Sequence, residues 1–517
     1  MDPPEEATTI SAKSKLTQLL HRIREVITVE PVIASYLIAV TLASPAIQQL
    51  QYEKACRANL GLNKTVCDQI AGDGSYLYPN ETERVQLAIG NLNSWNLPIS
   101  SVIPLVLVLF LGAYSDRHQW RKPFLIMPLL GELIALPLGI LSVIYMDSWT
   151  IETHAVVQVL LPNFFGGQTM LIMALFAYVA DNSTLEMRTL RLGIVQIVIN
   201  VCSITTSFVS SRVFNAVGYL GIFVIAGVWF LIGIVYALMC IKENRKSEGD
   251  VKKNVCADIF DTTQVVDTVN VIFKKKPGNK RLQFLLISLG LFVMSMVNIG
   301  EGSLWFLYTK EFLGWDLVDL TNFSTFNTLI HLAGTTVAIP LFTKVLKLHD
   351  LTILLLAFLN KILSNIIMGF ARTTAIMYVA SVVSLIIGVT TISLRSLTTK
   401  VVIPEDVGKA QSLFAIVETL GAMVAGPFYN KGIYVNTYAS APSFFLFVCP
   451  ILYGAYILVI IWMYFKDRRE QTAEPSGESP AEKPTDLQTE TGNMGIANEA
   501  FQGDKSIPLQ EIHSTHM

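Results

Sequence analysis

The chain has 517 residues, of which 52% are hydrophobic and only 15% are charged. A typical soluble domain has about 25% charged residues, so this chain has too little charge to cover a water-exposed surface. The composition therefore excludes a soluble multidomain enzyme, and the high apolar content also excludes a disordered chain. The net charge of -2 gives no basis for a nucleic-acid partner. A membrane protein with several spans remains.

Twelve apolar stretches approach the length of about 20 residues that is needed to cross a bilayer. The first six lie near 30–50, 96–114, 123–145, 155–180, 193–213 and 220–241. The other six lie near 282–308, 322–342, 351–370, 375–398, 410–431 and 443–465. Two sets of six spans joined by a loop are typical of transporters built from two related halves. We therefore predict an all-α membrane protein with twelve transmembrane helices.

The distribution of charge predicts the orientation of these spans. Lys and Arg are concentrated in the segments on one side, and such segments remain in the cytoplasm. Both termini are therefore predicted to be cytoplasmic. The predicted organisation is a cytoplasmic N-terminal segment (1–28), a six-helix half (29–241), a cytoplasmic linker (242–281), a second six-helix half (282–465) and a disordered acidic cytoplasmic tail (466–517).

The first predicted outer loop, 51–95, contains two glycosylation acceptor sequences, at Asn63 and Asn80. The same loop contains Cys56 and Cys67. The outer side is oxidising, so we predict a disulfide bond between these two cysteines, with free thiols as the alternative.

A motif between the second and third spans reads Gly112-Ala113-Tyr114-Ser115-Asp116-Arg117-His118-Gln119-Trp120-Arg121-Lys122. It resembles the G-x-x-x-D-[RK]-x-G-[RK]-[RK] signature of the major facilitator superfamily, with Gln119 and Trp120 as the departure. A glycine permits two helices to approach closely, and an acid at a helix end pairs with nearby bases. The predicted gating residues are Gly112, Asp116, Arg117, Arg121 and Lys122. A simple positively charged loop is the alternative.

Several spans carry polar residues at helical spacing, which places them on one face of each helix. Polar groups are costly in hydrocarbon, so these faces are expected to turn toward a water-filled cavity or toward other helices. The predicted substrate-binding residues are Gln168, Gln196, Asn200, Asn298, Glu301, Trp305 and Arg395.

Six ionisable residues inside the spans receive specific roles. Arg395 is predicted to bind an anion, because guanidinium pairs well with carboxylate or phosphate. Partly buried carboxyl and imidazole groups exchange protons near physiological pH, so the predicted proton-coupling residues are Glu301, His331 and Glu418. Glu132 and Lys361 lie at similar depths in the third span of each half, and they are interpreted as members of structural pairs.

The membrane region also resembles the proton-coupled folate transporter family, solute carrier family 46. The residues that carry this resemblance are Gln49-Leu50-Gln51-Tyr52, the Gly112–Asp116 motif, Phe165-Gly166-Gly167, Val179-Ala180-Asp181, Arg188-Thr189-Leu190-Arg191, Arg395 and Gly408. The chain departs from the folate member at Phe164, Gln196 and Asn298. The resemblance therefore implies proton-coupled import of an organic anion, with a folate-like compound, a muropeptide or a conjugated metabolite as the substrate.

Other classes of function remain as alternatives. They are a proton-independent facilitator or exchanger, and a transport-inactive receptor or scaffold. The sequence has no nucleotide-binding loop, metal-spaced His and Cys cluster or nucleophile elbow, so we predict neither an enzyme nor a cofactor or metal. The expected partners are a small anion, protons and the lipid bilayer. The expected location is the plasma membrane, with the endolysosomal membrane as the alternative.

Overall fold

The computed structural model describes residues 28–72, 74–183, 185–243, 259, 280–401 and 407–473. The chain divides into two units, Met1–Asp467 and Arg468–Met517, and nearly all the described residues belong to the first. The predicted N-terminal segment, nearly all of the linker 242–281 and most of the tail 466–517 lie outside the described residues.

Within these ranges the regular structure is entirely helical. The first half contains α1 (Glu30–Lys54), α2 (Lys64–Ala71), α3 (Pro79–His118), α4 (Lys122–Ile144), α5 (Ile151–Asp181, with a turn at 164–166) and α6 (Leu185–Cys240). The second half contains α7 (Lys280–Phe312), α8 (Leu317–Pro340), α9 (Asp350–Phe370), α10 (Thr374–Val383), α11 (Val389–Val401), α12 (Val407–Ala425) and α13 (Phe444–Ala473). Three helices continue as π-helical segments, α1 over Ala55–Asn59, α8 over Leu341–Val345 and α12 over Gly426–Val435.

Ten of the described helical stretches are long and apolar enough to cross a membrane. The predicted fifth and sixth spans both fall in α6, which turns at Gly218, where φ is +67°. Glycine adopts such a positive φ without steric penalty. The predicted tenth span is divided between α10 and α11, each of which is shorter than a full bilayer crossing. The structure thus gives ten such stretches where the sequence predicts twelve spans.

The buried apolar residues form two large clusters. One belongs to the first half and includes Tyr36, Leu129, Leu171 and Phe223. The other belongs mainly to the second half and includes Phe284, Phe358, Phe414 and Phe445. This second cluster also takes in Tyr52, Ile89 and Leu92 from α1 and α3. Each half therefore has its own core, and the two halves pack together near the start of α3.

Two glycines permit close helix crossings, one between α8 and the α10–α11 segment and the other between α12 and α7. A Cβ atom added at Gly334 of α8 would lie 2.0 Å from the carbonyl oxygen of Leu385, between α10 and α11. A Cβ atom added at Gly421 of α12 would lie 2.6 Å from the carbonyl oxygen of Phe292 in α7. Both neighbours are backbone atoms that cannot move aside cheaply, so these crossings require glycine.

Candidate functional site

A cavity of about 480 Å³ lies in the second half, among α7, α8, α9 and the α10–α11 segment. Its volume is within the range of about 300–1,000 Å³ that is typical of small-molecule sites. The polar faces predicted on three spans meet here. They contribute Asn298, Glu301 and Trp305 from α7, Ser324, Thr328 and His331 from α8, and Ser384, Gly388 and Thr391 from the α10–α11 segment.

An ion pair forms part of the cavity wall. Lys361 of α9 donates a hydrogen bond from Nζ to Oε2 of Glu301 at 2.9 Å. Asn365, one turn further along α9, donates to the other carboxylate oxygen of Glu301. The side chains of Lys361 and Glu301 are only 15% and 10% exposed, respectively. The site therefore holds one cation and one anion that are largely removed from solvent.

Lys361 was interpreted from the sequence as a structural residue on a peripheral helix. It does form a pair, but its partner is Glu301, and the pair lines the cavity. The signal for a functional position was its lone positive charge in the middle of an apolar span. Its partner was not recognisable, because the pairing joins residues 60 positions apart in the chain.

His331 links two elements of the cavity wall. Its Nε2 atom lies 2.8 Å from Oγ of Ser384, which follows α10. Ser381, one turn earlier, donates from Oγ to Oδ1 of Asn327 at 2.6 Å. Hydrogen bonds between helices therefore account for part of the polar face on α10, as the alternative interpretation expected.

Arg395 and Glu418 form a second ion pair, which does not line the cavity. Nη2 of Arg395 is 3.2 Å from both carboxylate oxygens of Glu418. The two side chains are 45% and 29% exposed. Arg395 follows the cavity residue Thr391 by about one helical turn. An anion that approaches Arg395 therefore competes with Glu418.

The candidates in the first half lie apart from this cavity. Gln196 donates a hydrogen bond from Nε2 to Oδ1 of Asn200 at 3.3 Å, which places both on the same face of α6. Gln168 and Gln196 are exposed, and Asn200 is partly exposed. None of the three is a lining residue of the cavity described above.

The predicted gating motif forms a partly buried network at the junction of α3, α4 and α5. Arg121 is 8% exposed and donates from Nε to Oδ2 of Asp181 at 2.8 Å. Its Nη1 atom donates to Ser115 Oγ at 2.9 Å and also to Asp116. Burial acts to lower the pKa of Arg121, but the hydrogen bonds and charges of Asp181 and Asp116 outweigh it and raise that pKa overall. We call Ser115, Asp116, Arg121 and Asp181 the gating network.

Lys122 binds the end of α6. Its Nζ atom donates to the carbonyl oxygens of Leu238 at 2.7 Å and Ile241 at 3.2 Å. The C-terminal end of a helix carries partial negative charge, so a cation is favourable there. Arg117 is placed similarly in the last turn of its own helix, α3. A Cβ atom added at Gly112 would meet Met173 Cε at 3.4 Å, an ordinary contact, so close packing of helix backbones is not what requires glycine there.

The backbone conformation at Gln119 explains why the motif usually has glycine at this position. It follows the end of α3 with φ of 50° and ψ of 37°, which is the left-handed conformation. Lys347, in the corresponding loop of the second half, likewise has a positive φ, of 48°. The two halves thus share a left-handed turn after α3 and after the π-helical continuation of α8. The sequence hides this repeat, because neither turn contains glycine.

The opposite ends of the helices join the two halves. Gln86 of α3 donates from Nε2 to the carbonyl oxygen of Leu307 at 3.1 Å. The hydroxyl group of Tyr434 donates to Oε1 of Gln86, also at 3.1 Å. Ser211 of α6 and Thr321 of α8 share a hydrogen bond of 2.7 Å. We call these contacts the outer seal, because they lie on the side that the sequence predicts to be outside.

The loop before α3 belongs to the same end of the molecule. Cys56 and Cys67 form a disulfide bond that closes the segment leading into α2. Lys310 of α7 donates from Nζ to the carbonyl oxygen of Ala71, the last residue of α2. The segment between the first and second long helices is therefore held against the second half.

The fold and the polar cavity are those of a membrane transporter rather than an enzyme. The family model described as the Major Facilitator Superfamily matches residues 90–426, and the chain belongs to this superfamily. The human organic anion transporter MFSD10 has the same fold, with a TM-score of 0.55 and 13% identity over 84% of this chain and 99% of that chain. A transporter of the POT family, in complex with a thioalcohol-conjugated peptide, gives a TM-score of 0.56 at 12% identity, covering 84% of this chain and 96% of that chain.

The characterised relatives are members of solute carrier family 46, which confirms the resemblance seen in the sequence. The chicken (Gallus gallus) lysosomal proton-coupled steroid conjugate and bile acid symporter SLC46A3 is 24% identical over 85% of this chain and 94% of its own length. The proton-coupled folate transporter of Rattus norvegicus is 26% identical over 84% of this chain and 90% of its own. The probable peptidoglycan muropeptide transporter SLC46 of Drosophila melanogaster is 20% identical over 85% and 86%, respectively.

The left-handed turn at Gln119 predicts that Gln119→Gly stabilises the protein. A non-glycine residue in this conformation is strained by about 1–2 kcal/mol, and glycine relieves this strain. The net gain in stability is smaller, because glycine also gives the unfolded chain more conformational freedom. We expect a rise in the thermal unfolding temperature of the protein purified in detergent. Gln119→Ala is the matched control, because it removes the side chain but keeps the Cβ atom. An equal gain in the alanine variant would show that strain at this turn is not the cause.

Proposed function

We propose that the protein is a secondary active transporter that imports an organic anion together with protons, and that the cavity in the second half binds the anion. The observation that carries this proposal is the presence of Lys361, Glu301 and His331 on the walls of one cavity. The cation provides a site for an anion, and the carboxyl and imidazole groups provide sites for a proton. The names of the relatives, two of which specify proton coupling, support the same function.

The cavity also favours a particular form of anion. Trp305 on its wall stacks on Phe323, with their ring centroids 5.5 Å apart. Aromatic surfaces favour planar or apolar bodies, whereas Asn298 and Thr328 offer hydrogen-bonding groups. We therefore propose an amphipathic organic anion. Folate-like compounds, muropeptides and conjugated metabolites are the candidate substrates. Gln168, Gln196 and Asn200 do not line this cavity, and we propose them as substrate contacts in another state of the transport cycle.

The proposed membrane topology has twelve spans in two halves, 29–241 and 282–465, with both termini in the cytoplasm. The turn at Gly218 supports it by dividing α6 into two arms of membrane-spanning length. In the second half, α10 and α11 together supply one crossing. The linker 242–281 and the tail 466–517 are then cytoplasmic, and the loop 51–95 is outside. This orientation gives import into the cytosol from either the plasma membrane or the endolysosomal membrane.

Alternating access follows from the two ends of the molecule. The outer seal joins the halves through hydrogen bonds such as the one between Ser211 and Thr321. At the other end, Arg121 binds Asp116 and Asp181 within the first half. We propose that the halves rock so that the outer seal opens while the gating network holds the inner ends of α3, α4 and α5 together.

Acid-driven uptake is the direct test of this function. Cells or vesicles that contain the protein are given labelled folate, muramyl dipeptide or taurocholate at about pH 5.5 and about pH 7.4, on either side of the range in which imidazole titrates. We expect uptake of at least one compound to be higher at the acidic pH and to fall when a protonophore removes the gradient. Equal uptake at both pH values would instead indicate a proton-independent facilitator, and no uptake of any anion would favour a receptor or scaffold.

Arg395→Ala is expected to abolish anion uptake without reducing the amount of protein at the cell surface. The side chain is 45% exposed, so its ion pair with Glu418 adds little to stability, about 0–1 kcal/mol. Loss of this side chain therefore removes an anion-attracting charge next to the cavity but leaves the fold intact. Arg372→Ala, at an exposed position after α9, is the control and is expected to keep full uptake. Normal uptake by the Arg395 variant would remove this residue from the anion path.

The predicted orientation is tested through the two glycosylation sequences. Asn63 and Asn80 are exposed, and Oδ1 of Asn63 accepts a hydrogen bond from the backbone of Thr65 at the start of α2. We expect glycosidase treatment to increase the gel mobility of the wild-type protein but not that of the Asn63→Gln/Asn80→Gln double variant. An unchanged mobility of the wild-type band would argue against an outer location of the loop 51–95.

A further inference from the structure

We propose that the Glu301–Lys361 ion pair itself couples the anion to the proton. In this scheme an anionic group of the substrate replaces the Glu301 carboxylate at Nζ of Lys361, and the released carboxylate binds one proton. The charge of the site is then unchanged, because one negative charge and one proton enter together. This inference rests on the proposed function, since it assigns both ions to one pair of residues in the same cavity.

The position of the pair makes such an exchange sterically possible. Both residues line the cavity, and both retain a small exposed fraction, 15% for Lys361 and 10% for Glu301. Among the described residues, Glu301 is the hydrogen-bond partner that the structure gives to Nζ of Lys361. An ammonium group has three donors. A substrate anion therefore has access to a cation that is otherwise bound by a single carboxylate.

The surroundings of Glu301 provide no replacement for the charge of Lys361. The titratable groups that face it from the neighbouring elements are Tyr429 from the π-helical continuation of α12, and Cys449 and Tyr453 from α13. His331 of α8 faces Lys361 rather than the carboxylate. Lys361 is therefore the one permanent cation in this set of groups.

A buried carboxylate that loses its cation is strongly unfavourable, so it takes up a proton instead. Asn365 is suited to accept that proton in a hydrogen bond. Its Nδ2 atom already donates to Glu301 and to the carbonyl oxygen of Leu446, whereas its Oδ1 atom is buried and has no hydrogen-bond partner among the described residues. Buried polar atoms are rarely left in this state. A protonated Glu301 is a donor that would satisfy it.

This scheme also defines the substrate chemically. The ammonium group of lysine acts as a point charge and does not require the planar geometry that guanidinium matches. A carboxylate and a sulfate group are therefore both acceptable at Lys361, and a neutral or cationic compound is not. One proton accompanies each anionic group that binds Lys361, so transport of a monoanion is electroneutral.

The sharpest test measures protons taken up during binding by the full-length protein purified in detergent. The probe is whichever of labelled folate, muramyl dipeptide or taurocholate the wild-type protein carries best in the uptake assay. Calorimetric titration near neutral pH, in two buffers that differ in ionisation enthalpy, gives the number of protons bound with each anion. We expect a value near one for the wild-type protein. A value near zero would overturn the proposal.

The Glu301→Gln variant distinguishes a role of Glu301 in proton coupling from a purely structural role. Glutamine keeps one oxygen that can accept from Lys361, but it cannot exchange a proton. We expect this variant to bind the probe without proton uptake, with an affinity that no longer depends on pH, and to retain exchange of the probe between the two sides of the membrane. A merely structural role for Glu301 would lower the affinity and leave the proton count unchanged, which would contradict the proposal.

Glu132→Gln is the matched control. Glu132 is another carboxyl inside a span, on α4, but it accepts a hydrogen bond from Tyr36 at 3.2 Å and is not a cavity residue. Its variant is expected to keep the wild-type proton count. Loss of proton uptake in this variant as strongly as in Glu301→Gln would overturn the assignment to Glu301.

Lys361→Gln is expected to weaken binding of the probe by roughly tenfold or more, since a charge-assisted hydrogen bond to the anion is lost. If this variant does not fold, the Glu301→Gln/Lys361→Gln double variant replaces it, because the double variant leaves no unpaired charge. Wild-type affinity in either variant would contradict the role of Lys361. Failure of the wild-type protein to carry any panel anion contradicts the proposed function, whereas uncoupled binding by a functional wild-type protein contradicts this inference alone.

Discussion

A charged group within a membrane span needs a partner from another helix, and this requirement underlies the arrangement of the helices. Hydrocarbon offers no hydrogen bonds, so an unpaired charge there is costly. Lys361 and Glu301 accordingly join α9 to α7. In the first half, Tyr36 and Glu132 join α1 to α4. Each half thus has a polar contact between its first and third spans, but only the contact in the second half is an ion pair on a cavity wall.

The two halves accordingly contain different polar features. The second half holds the polar cavity and its ion pair, whereas the gating network of Arg121, Asp116 and Asp181 belongs to the first half. The outer seal connects them through hydrogen bonds between neutral groups, each worth about 1 kcal/mol in net terms. Contacts of this strength are readily exchanged, as the proposed rocking of the halves requires. The ion pairs of Arg121, Glu301 and Arg395 lie within single halves, so none of them has to break when the halves move relative to each other.

The sequence predicted the polar faces well where they follow the helical period. Asn298, Glu301 and Trp305 recur at steps of three and four residues, so their common face was evident, and the structure places all three on the cavity wall. Residues that act singly were harder to interpret. Lys361 shares a face of its span with Ser364 and Asn365, but its partner Glu301 lies on another helix and could not be identified from the spacing. The left-handed turn at Gln119 was hidden, because glutamine rarely adopts this conformation and gives no signal for it.

The membrane class, the positions of the apolar stretches, the gating motif and the polar helix faces were determined by the sequence alone. These features depend on composition and on spacing within a single helix, which can be read locally. The tertiary structure decided that Glu301 pairs with Lys361, that Arg395 pairs with Glu418, and that the faces of α7, α8 and the α10–α11 segment enclose one cavity. These contacts depend on how helices distant in the chain cross, and the crossings are set by backbone approaches such as that of Gly334 to Leu385. Local periodicity places a side chain on a face, but only packing selects the partner that it meets there.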